Sequence, residues 1–193
     1  MSLDYLEGMA QMAGGPFKGN YRSSSDLIRP TSTSQSIFDT VRDFYEEVLE
    51  GEFKYVAQGY GVPKIITDCQ ILLTAKEIQQ IIPCTQVYEQ HPNYPIATGL
   101  ILTRLIQNAY DARGEQFFAF DLRGIKQLDY LFSWLCEKVD IPLTVQAIGE
   151  VGDYCSYGVR GGAYYIQKVG EFFGESAGPL DKFSERKGRK PIL

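Results

Sequence analysis

Apolar residues recur at helical spacing in four stretches of the chain. The first pattern begins after Ser36, whose hydroxyl can cap a helix together with Asp39 three residues later, and Gly51 can end that helix. Its apolar face consists of Ile37, Val41, Phe44 and Val48. The preceding residues 1–35 are rich in Ser, Gly and Pro and have no sustained apolar period. They are therefore predicted to form a flexible N-terminal arm.

The next two helical patterns have clear start and stop signals. Thr74 and Glu77 form a capping box, and Pro83 is expected to stop the short helix that they begin. Pro95 suits the first turn of a longer helix, which Gly114 can end. The apolar face of this helix comprises Ile96, Leu100, Leu102, Leu105, Ile106 and Ala109. Because that face is the widest in the chain, the helix is predicted to be central and largely buried.

Strand-like segments alternate with these helices. Branched and aromatic residues predict strands over residues 65–73, 117–120 and 142–148. A fourth helix is predicted over residues 125–138, with its apolar side chains facing inward. This order of elements indicates an α/β or α+β fold, that is, a mixed α/β body.

Residues 148–158 and 166–176 repeat nearly the same phrase at an offset of eighteen residues. The copies read Ile148-Gly-Glu-Val-Gly152-Asp-Tyr154 and Ile166-Gln-Lys-Val-Gly170-Glu-Phe172. A period near twenty is typical of β-solenoid coils that stack on one another. We expect Val151 to lie over Val169 and Tyr154 to lie near Phe172.

The glycine-rich phrase resembles known β-helices. Residues 149–158, followed by Arg160-Gly161-Gly162, look like coils of the C-terminal domain of glutamate synthase and of the β-helical component of formylmethanofuran dehydrogenase. Residues 36–178 also resemble uncharacterised archaeal proteins with a β-helical end, through segments 61–73 and 94–108. The resemblance implies a short β-solenoid-like C-terminal flank packed on the body. It implies no catalytic residue, since the β-helix of the large enzymes is a structural spacer.

Charge divides the chain into an acidic body and a basic tail. Residues 36–150 contain sixteen acids and nine bases, whereas residues 179–193 contain two acids and five bases. An acidic body argues against broad capture of nucleic acid, so any contact with RNA or a ribosome must come from the tail. The tail cations Arg186, Lys187, Arg189 and Lys190 are therefore the candidate partner-binding residues.

Composition points to a soluble, cytoplasmic protein. No apolar run approaches the roughly 18 to 20 residues of a membrane span, and no signal peptide is recognisable, so no membrane association is expected. The four cysteines form no CxxC pair and lie in apolar or aromatic surroundings. We expect Cys69, Cys84, Cys136 and Cys155 to be buried free thiols.

Two acidic positions are candidates for chemistry in the body. Asp68 lies beside a cysteine in the predicted strand 65–73, and Asp121 lies with Arg123 at the end of a strand, where α/β proteins often place ligands. Each also has a structural interpretation, as a backbone cap for Asp68 and a salt bridge for Asp121. No nucleophile elbow, zinc motif or phosphate loop is present in the sequence.

Three further features are better explained by structure than by ligand binding. Gly59-Tyr60-Gly61 precedes no glycine-rich helix start, which indicates a turn. Residues 158–162 could offer backbone N–H groups to an anion beside Arg160, although tight coil corners need glycine for the same reason. His91 is the only histidine, so it predicts a surface loop residue and not a metal ligand. No cofactor is expected.

These patterns predict four segments: an arm (1–35), an α/β body (36–147), repeats packed on the body (148–178) and a basic tail (179–193). The first interpretation is a non-enzymatic interaction or assembly module that docks on a macromolecular partner or on itself. The alternatives are an enzyme or small-ligand protein with a pocket between body and repeats, and an RNA-associated factor that uses the tail.

Overall fold

The computed structural model describes residues 30–53, 56, 62–174 and 182–185, with the backbone alone for the last segment. Helices come first, and their bounds are α1 Ser32–Asp39, α2 Arg42–Leu49, α3 Lys64–Thr67, α4 Ala75–Thr85, a 3-10 turn Gln86–Tyr88, and α5 Tyr94–Arg113. The strands are β1 Phe117–Asp121, β2 Thr144–Glu150, β3 Ala163–Lys168 and β4 Lys182–Glu185. Helices beside a parallel sheet make the described part of the chain a mixed α/β protein, as predicted.

The first predicted helix is two helices. Ordered structure starts before Ser36, because the Thr31 side chain caps α1 by accepting the Ser34 N–H at 3.1 Å. The Thr40 hydroxyl donates to the carbonyl of Ile37 at 2.7 Å, at the point where α1 ends and the chain turns into α2. The predicted apolar face is nonetheless buried, with Phe44 and Ile37 half-buried at its margin.

The strand predicted over residues 65–73 is wrong. Its first part is the short helix α3, and the rest runs along α5. The Asn108 side-chain amide donates to the carbonyls of Cys69 and Ile71, each at 3.0 Å. Side chains of a helix thus satisfy the backbone groups that a neighbouring strand would otherwise satisfy.

The helix predicted over residues 125–138 is also wrong. These residues form consecutive turns, and Tyr130, Phe132 and Trp134 have positive φ angles, which a right-handed helix does not allow. The apolar residues chosen for the inner face are still buried. They are Leu128, Leu131, Phe132 and Leu135.

The other predicted elements are confirmed with small differences. The capping box of Thr74 and Glu77 begins α4, but Pro83 lies inside the helix, which continues to Thr85. A proline in the last turn removes only one helical hydrogen bond, so it is tolerated there. The central helix α5 is buried along most of its length and ends at Gly114 in a left-handed conformation, as predicted.

The sheet is parallel and its strands are neighbours in the order of the chain, β1-β2-β3-β4. Phe117 pairs with Thr144, Thr144 with Ala163, and Ala163 with Lys182. Phe118, Val145 and Tyr164 occupy equivalent positions one residue later, and all three are fully buried. The boundary that the sequence predicted between residues 147 and 148 falls inside β2. One hydrophobic core joins the helices to β1, β2 and β3.

Helix α5 covers the first turn of the segment after β1. The Asp129 N–H donates to the carbonyl of Pro95 at 3.1 Å, the Phe132 N–H to the Thr103 hydroxyl at 2.7 Å, and the Cys136 N–H to the Gln107 side chain at 2.8 Å. These acceptors lie on one face of α5. The helix therefore satisfies donors that would otherwise need a neighbouring chain segment.

Among the described residues, no helix combines the length and the hydropathy that a bilayer crossing requires.

Replacing Thr103 by valine tests this covering role. Thr103→Val leaves the buried Phe132 N–H without its acceptor, so we expect the free energy of unfolding to fall by about 1 to 3 kcal/mol in urea denaturation. Thr67→Val is the matched control, because the exposed Thr67 hydroxyl bonds only the Lys64 carbonyl of its own helix, at 2.9 Å. Equal losses in the two variants would contradict the role of Thr103.

Candidate interaction site

Three chain segments lie on one another beside the sheet, and together they form the turn stack: residues 128–137, 151–160 and 169–174. Backbone hydrogen bonds connect each segment to the next. The Tyr130 N–H donates to the Asp153 carbonyl at 2.8 Å, and the Tyr154 N–H donates to the Glu171 carbonyl at 2.9 Å. The two phrases recognised in the sequence are therefore neighbours in space.

An aromatic column runs through the turn stack. The rings of Tyr130 and Tyr154 are 4.8 Å apart and 4° from parallel, and those of Tyr154 and Phe172 are 4.7 Å apart and 12° from parallel. This confirms the expected proximity of Tyr154 and Phe172. The separations equal the distance between neighbouring strands, so each ring covers the face of the next. Phe172 is the last ring of the column among the described residues and is 43% exposed.

Trp134 extends the column sideways at its first turn. Its ring lies 5.7 Å from that of Tyr130 and nearly parallel to it, and Tyr157 contacts it edge-on.

The aromatic residues of the column all adopt left-handed backbone conformations. The φ angles of Tyr130, Tyr154 and Phe172 are 57°, 54° and 55°. A non-glycine residue in this region costs on the order of 1 to 3 kcal/mol. The strain recurs at equivalent positions of three turns, so the stacking contacts and interturn hydrogen bonds must compensate for it.

A column of carboxylates runs beside the rings. The Asp129 carboxylate accepts the Asp153 N–H at 2.9 Å, and the Asp153 carboxylate accepts the Glu171 N–H at 2.7 Å. Burial raises the pKa of Asp129, and the nearby Asp153 charge adds to this, against the lowering effect of the Asp153 N–H. Glu171 is the last acid of the column in the described part of the chain, and it is exposed.

The glycines of the repeat make room for these carboxylates. A Cβ on Gly152 would lie 2.1 Å from the Asp129 carboxylate oxygen, and a Cβ on Gly170 would lie 2.5 Å from that of Asp153. The glycine, acid and aromatic positions of the phrase thus have three separate roles. The glycine admits the previous acid, the acid accepts the next N–H, and the aromatic ring stacks.

Sequence reasoning missed the first copy of the phrase, which is Leu128-Asp129-Tyr130. It lies twenty-four residues before Gly152-Asp153-Tyr154 instead of eighteen, because the first turn carries an extra excursion around Lys138 and Ile141. Leu128 replaces the glycine, since α5 and not an earlier acid lies behind it. The adjacent acid and aromatic residue were the only signal in the sequence.

The side chains that were predicted as candidates for chemistry interact with other side chains of the protein. The Arg123 guanidinium binds the Asp121 carboxylate through two hydrogen bonds, of 2.8 and 2.5 Å, at the end of β1. Asp68 ends α3, is exposed, and lies 3.9 Å from the Lys64 ammonium. The structural interpretation fits the salt bridge of Asp121, and neither carboxylate lies in a metal-binding cluster of the described residues.

The possible anion site near Arg160 is filled by Glu137. Its carboxylate accepts the N–H groups of Gly162, at 3.0 Å, and Leu143, at 2.8 Å. An external anion would have to displace this side chain. His91 lies in a loop, where its Nδ1 accepts the Asn93 N–H at 3.2 Å.

All four cysteines are free, but the expectation that all are buried is wrong for Cys136, which is exposed. Cys136 lies just before the excursion in the first turn, where its backbone bonds Gln107 and its side chain faces outward. Burial raises the pKa of the Cys155 thiol to about 12, so this group is inert at neutral pH.

Gly59-Tyr60-Gly61 and the cations Arg186, Lys187, Arg189 and Lys190 lie outside the described residues.

Adding a methyl group at Gly170 tests the glycine role. Gly170→Ala places a Cβ against the Asp153 carboxylate and the backbone of Gly152, so we expect a loss of about 1 to 3 kcal/mol in unfolding free energy. Gly114→Ala is the control, because its Cβ meets no atom within 4 Å and it reports only the cost of a left-handed alanine. A smaller loss at Gly170 than at Gly114 would contradict the steric argument.

The raised pKa of Asp129 predicts a pH effect. A carboxyl whose pKa is higher in the folded state than its ordinary 3.8 contributes stability that is present below that value and lost as pH rises through the folded pKa. Asp129→Asn keeps an acceptor for the Asp153 N–H and removes the charge. Its melting temperature, minus that of the wild type, should therefore rise between about pH 3 and pH 7.

Asp129→Ala provides the matched comparison, since it removes both the charge and the acceptor. We expect it to be less stable than Asp129→Asn at both pH values, by about 1 kcal/mol. A difference between Asn and wild type that does not change with pH would contradict the raised pKa.

Comparison with known proteins assigns the chain to no group. No known protein family, curated protein or solved structure matches it. The functional proposal therefore depends on the geometry of the sheet and the turn stack.

Proposed function

We propose that this protein is a non-enzymatic interaction module, in which a short β-solenoid binds another protein chain at its last strand. Three features support the solenoid. The strands are parallel and lie in chain order, equivalent residues recur after about nineteen positions, and the rings of successive turns stack at the interstrand distance. The glycine-rich phrase resembles β-helix coils in the same part of the chain.

The difference between the two ends of the sheet is the observation that carries the proposal. At the β1 end, α4 lies against the strand, and the Gln79 side chain accepts the Asp121 N–H at 3.1 Å. Helix α5 covers the first turn in the same way. At the other end, no described segment pairs with the outer side of β4.

An edge strand of this kind presents a row of backbone donors and acceptors. Another chain can complete the row as an added strand, with main-chain hydrogen bonds that supply affinity and side-chain contacts that supply selectivity. The occupant could be an extended peptide or β4 of a second copy. Arg186 and Lys187 come directly after β4 in the sequence, so acidic residues on the partner would suit this position.

The enzyme and RNA interpretations have less support. The charged groups of Asp121 and Arg123 bind each other, and Asp68 is exposed beside Lys64, so these predicted candidates do not face a common site. The RNA interpretation depends on the tail alone. The binding experiment on β4 distinguishes both from strand addition.

The direction of the β4 backbone allows a selective variant. The first residues of β2 and β3 donate to the previous strand, Thr144 to the Gln116 carbonyl at 2.7 Å and Ala163 to the Leu143 carbonyl at 2.8 Å. Continued into β4, this alternation points the N–H of Glu185 away from β3. Glu185→Pro would then remove a donor of the outer edge and leave the contacts with β3.

We expect Glu185→Pro to weaken association about tenfold or more, since one lost main-chain hydrogen bond and the local bend together exceed about 1.4 kcal/mol. Glu185→Ala is the matched control and should bind like the wild type. Self-association is measured by sedimentation equilibrium. Partner binding is measured by pulldown from native lysate, with bound protein, RNA and small molecules identified together.

Equal binding by the proline variant, the alanine variant and the wild type would contradict strand addition at β4. Capture of RNA that is lost when Arg186, Lys187, Arg189 and Lys190 are replaced by glutamine would favour the RNA interpretation instead. A protein that is monomeric and captures neither protein nor RNA would contradict both.

A further inference from the structure

We propose that Gly170-Glu171-Phe172, the tip of the last turn in the described part of the stack, opens when Asp129 ionises and closes when Asp129 is protonated. Asp153 lies between the two and transmits the charge. The tip is then a pH-sensitive element whose state depends on a carboxylate two turns away. The proposal does not depend on the binding of a partner at β4.

The tip is held against the middle turn, residues 151–160, by backbone hydrogen bonds and a ring contact. The Glu171 N–H donates to the Asp153 carboxylate at 2.7 Å, and the Glu171 carbonyl accepts the Tyr154 N–H at 2.9 Å. The Phe172 ring stacks on that of Tyr154 at 4.7 Å. The bond to Asp153 is the one that a change of charge can alter, because its acceptor is a carboxylate.

The tip can open while the residues on either side of it stay in place. Glu171 and Phe172 are exposed, whereas Val169 and Phe173 are half-buried against the core. Phe172 has a φ angle of 55°, and opening relieves the cost of that left-handed conformation. Segments with little buried surface are those that open locally in native proteins.

The charge on Asp129 reaches the tip through Asp153. The Asp129 carboxylate accepts the Asp153 N–H at 2.9 Å and packs against Gly152, so the two carboxylates belong to adjacent turns and repel when both are ionised. The hydrogen bond from Asp153 to Asp129 is partly buried, whereas the bond from Glu171 to Asp153 is exposed. The Asp153 carboxylate can therefore turn toward water, and the tip loses its acceptor when it does.

The groups that face the two carboxylates from their own turns leave the repulsion in place. Lys126 is exposed, and it has the smallest of the effects that act on the pKa of Asp129. The Tyr130 hydroxyl stays neutral, since burial raises its pKa to about 12. Glu171 carries a charge of the same sign, so in the closed turn it adds to the repulsion.

The neighbouring elements do not neutralise the pair either. Helix α5 bonds the first turn through Pro95, Thr103 and Gln107, which are uncharged. At the ends of β2 and β3, the Lys168 ammonium lies 2.5 Å from the Glu150 carboxylate, so its charge is already paired. Among these described contacts, the repulsion within the column of carboxylates is not compensated.

Opening of the tip should increase as the pH rises. In the closed turn, burial and the charge of Asp153 raise the pKa of Asp129 above its ordinary 3.8, and the release of Asp153 lowers it again. Protonated Asp129 therefore favours the closed turn, and ionised Asp129 favours the open one. The closed turn is lost as the pH rises through the raised pKa.

Amide hydrogen exchange, measured by NMR on the full-length protein, tests the proposal. The Glu171 N–H reports on the tip, and the Ser156 N–H, which donates to the Leu131 carbonyl at 3.0 Å, reports on the middle turn. Between about pH 4 and pH 7 we expect the protection factor of Glu171 to fall about tenfold, the change that follows if opening lowers the pKa of Asp129 by one unit. Ser156 should remain more protected than Glu171 at both pH values.

Two neutral variants identify the charges that are responsible. Asp129→Asn and Asp153→Asn each remove one member of the repelling pair and keep an acceptor for the next N–H, so each should abolish most of the fall at Glu171. Asp68→Asn is the matched control, because it neutralises an exposed carboxylate beside Lys64, and it should keep the tenfold fall.

A protection factor of Glu171 that does not depend on pH in the wild type would overturn the proposal. An undiminished fall in Asp129→Asn would also overturn it, since another group would then be responsible. Equal protection of Glu171 and Ser156 would show that the tip opens only with the middle turn, which is the third result against it. The melting temperature of Asp129→Asn reports on the whole molecule, so it can change with pH while the tip stays closed.

Discussion

Each turn in the stack needs a neighbour that accepts the hydrogen bonds of its backbone N–H groups. The rest of the structure depends on this need. A turn of this kind cannot satisfy its own donors as a helix does, so it requires a partner on each side. Inside the stack the Asp129 and Asp153 carboxylates and the backbone carbonyls provide these acceptors. The glycine of the repeat is required by the same constraint, since a side chain at Gly152 would displace the Asp129 carboxylate.

The helical half of the protein provides the acceptors that the first turn needs. Helix α5 presents the Pro95 carbonyl, the Thr103 hydroxyl and the Gln107 side chain to consecutive donors of residues 128–137. Its approach is close, because a Cβ on Gly99 would lie 1.9 Å from the Asp129 carbonyl oxygen. The body and the repeats are therefore parts of one core, which explains how so few turns can be stable beside the helices.

How far the fold could be predicted from sequence depends on where the stabilising contacts lie. The central helix and the capping box of Thr74 and Glu77 depend on local signals, and both were predicted correctly. The segment 125–138 has apolar residues at helical spacing, but its turns are stabilised by residues 151–160, which are distant in sequence. Periodicity indicated which residues are buried and could not indicate the left-handed angles of Tyr130 or Trp134.

Prediction of the candidate site from the sequence was limited in the same way. The repeated glycine, acid and aromatic residue predicted that Tyr154 and Phe172 would be close, because the interval alone sets that distance. The use of the acid as an acceptor for the next turn could not be derived in this way, nor could the filling of the Gly162 site by Glu137. Both depend on side-chain directions that only the folded turns determine.

The column of carboxylates gives some of the acidic residues of the chain a structural role. Stacking Asp129, Asp153 and Glu171 at equivalent positions places like charges on successive turns, and each added acid would raise the cost of the next. Backbone pairing at the edge of the sheet adds no net charge, so it carries no such cost.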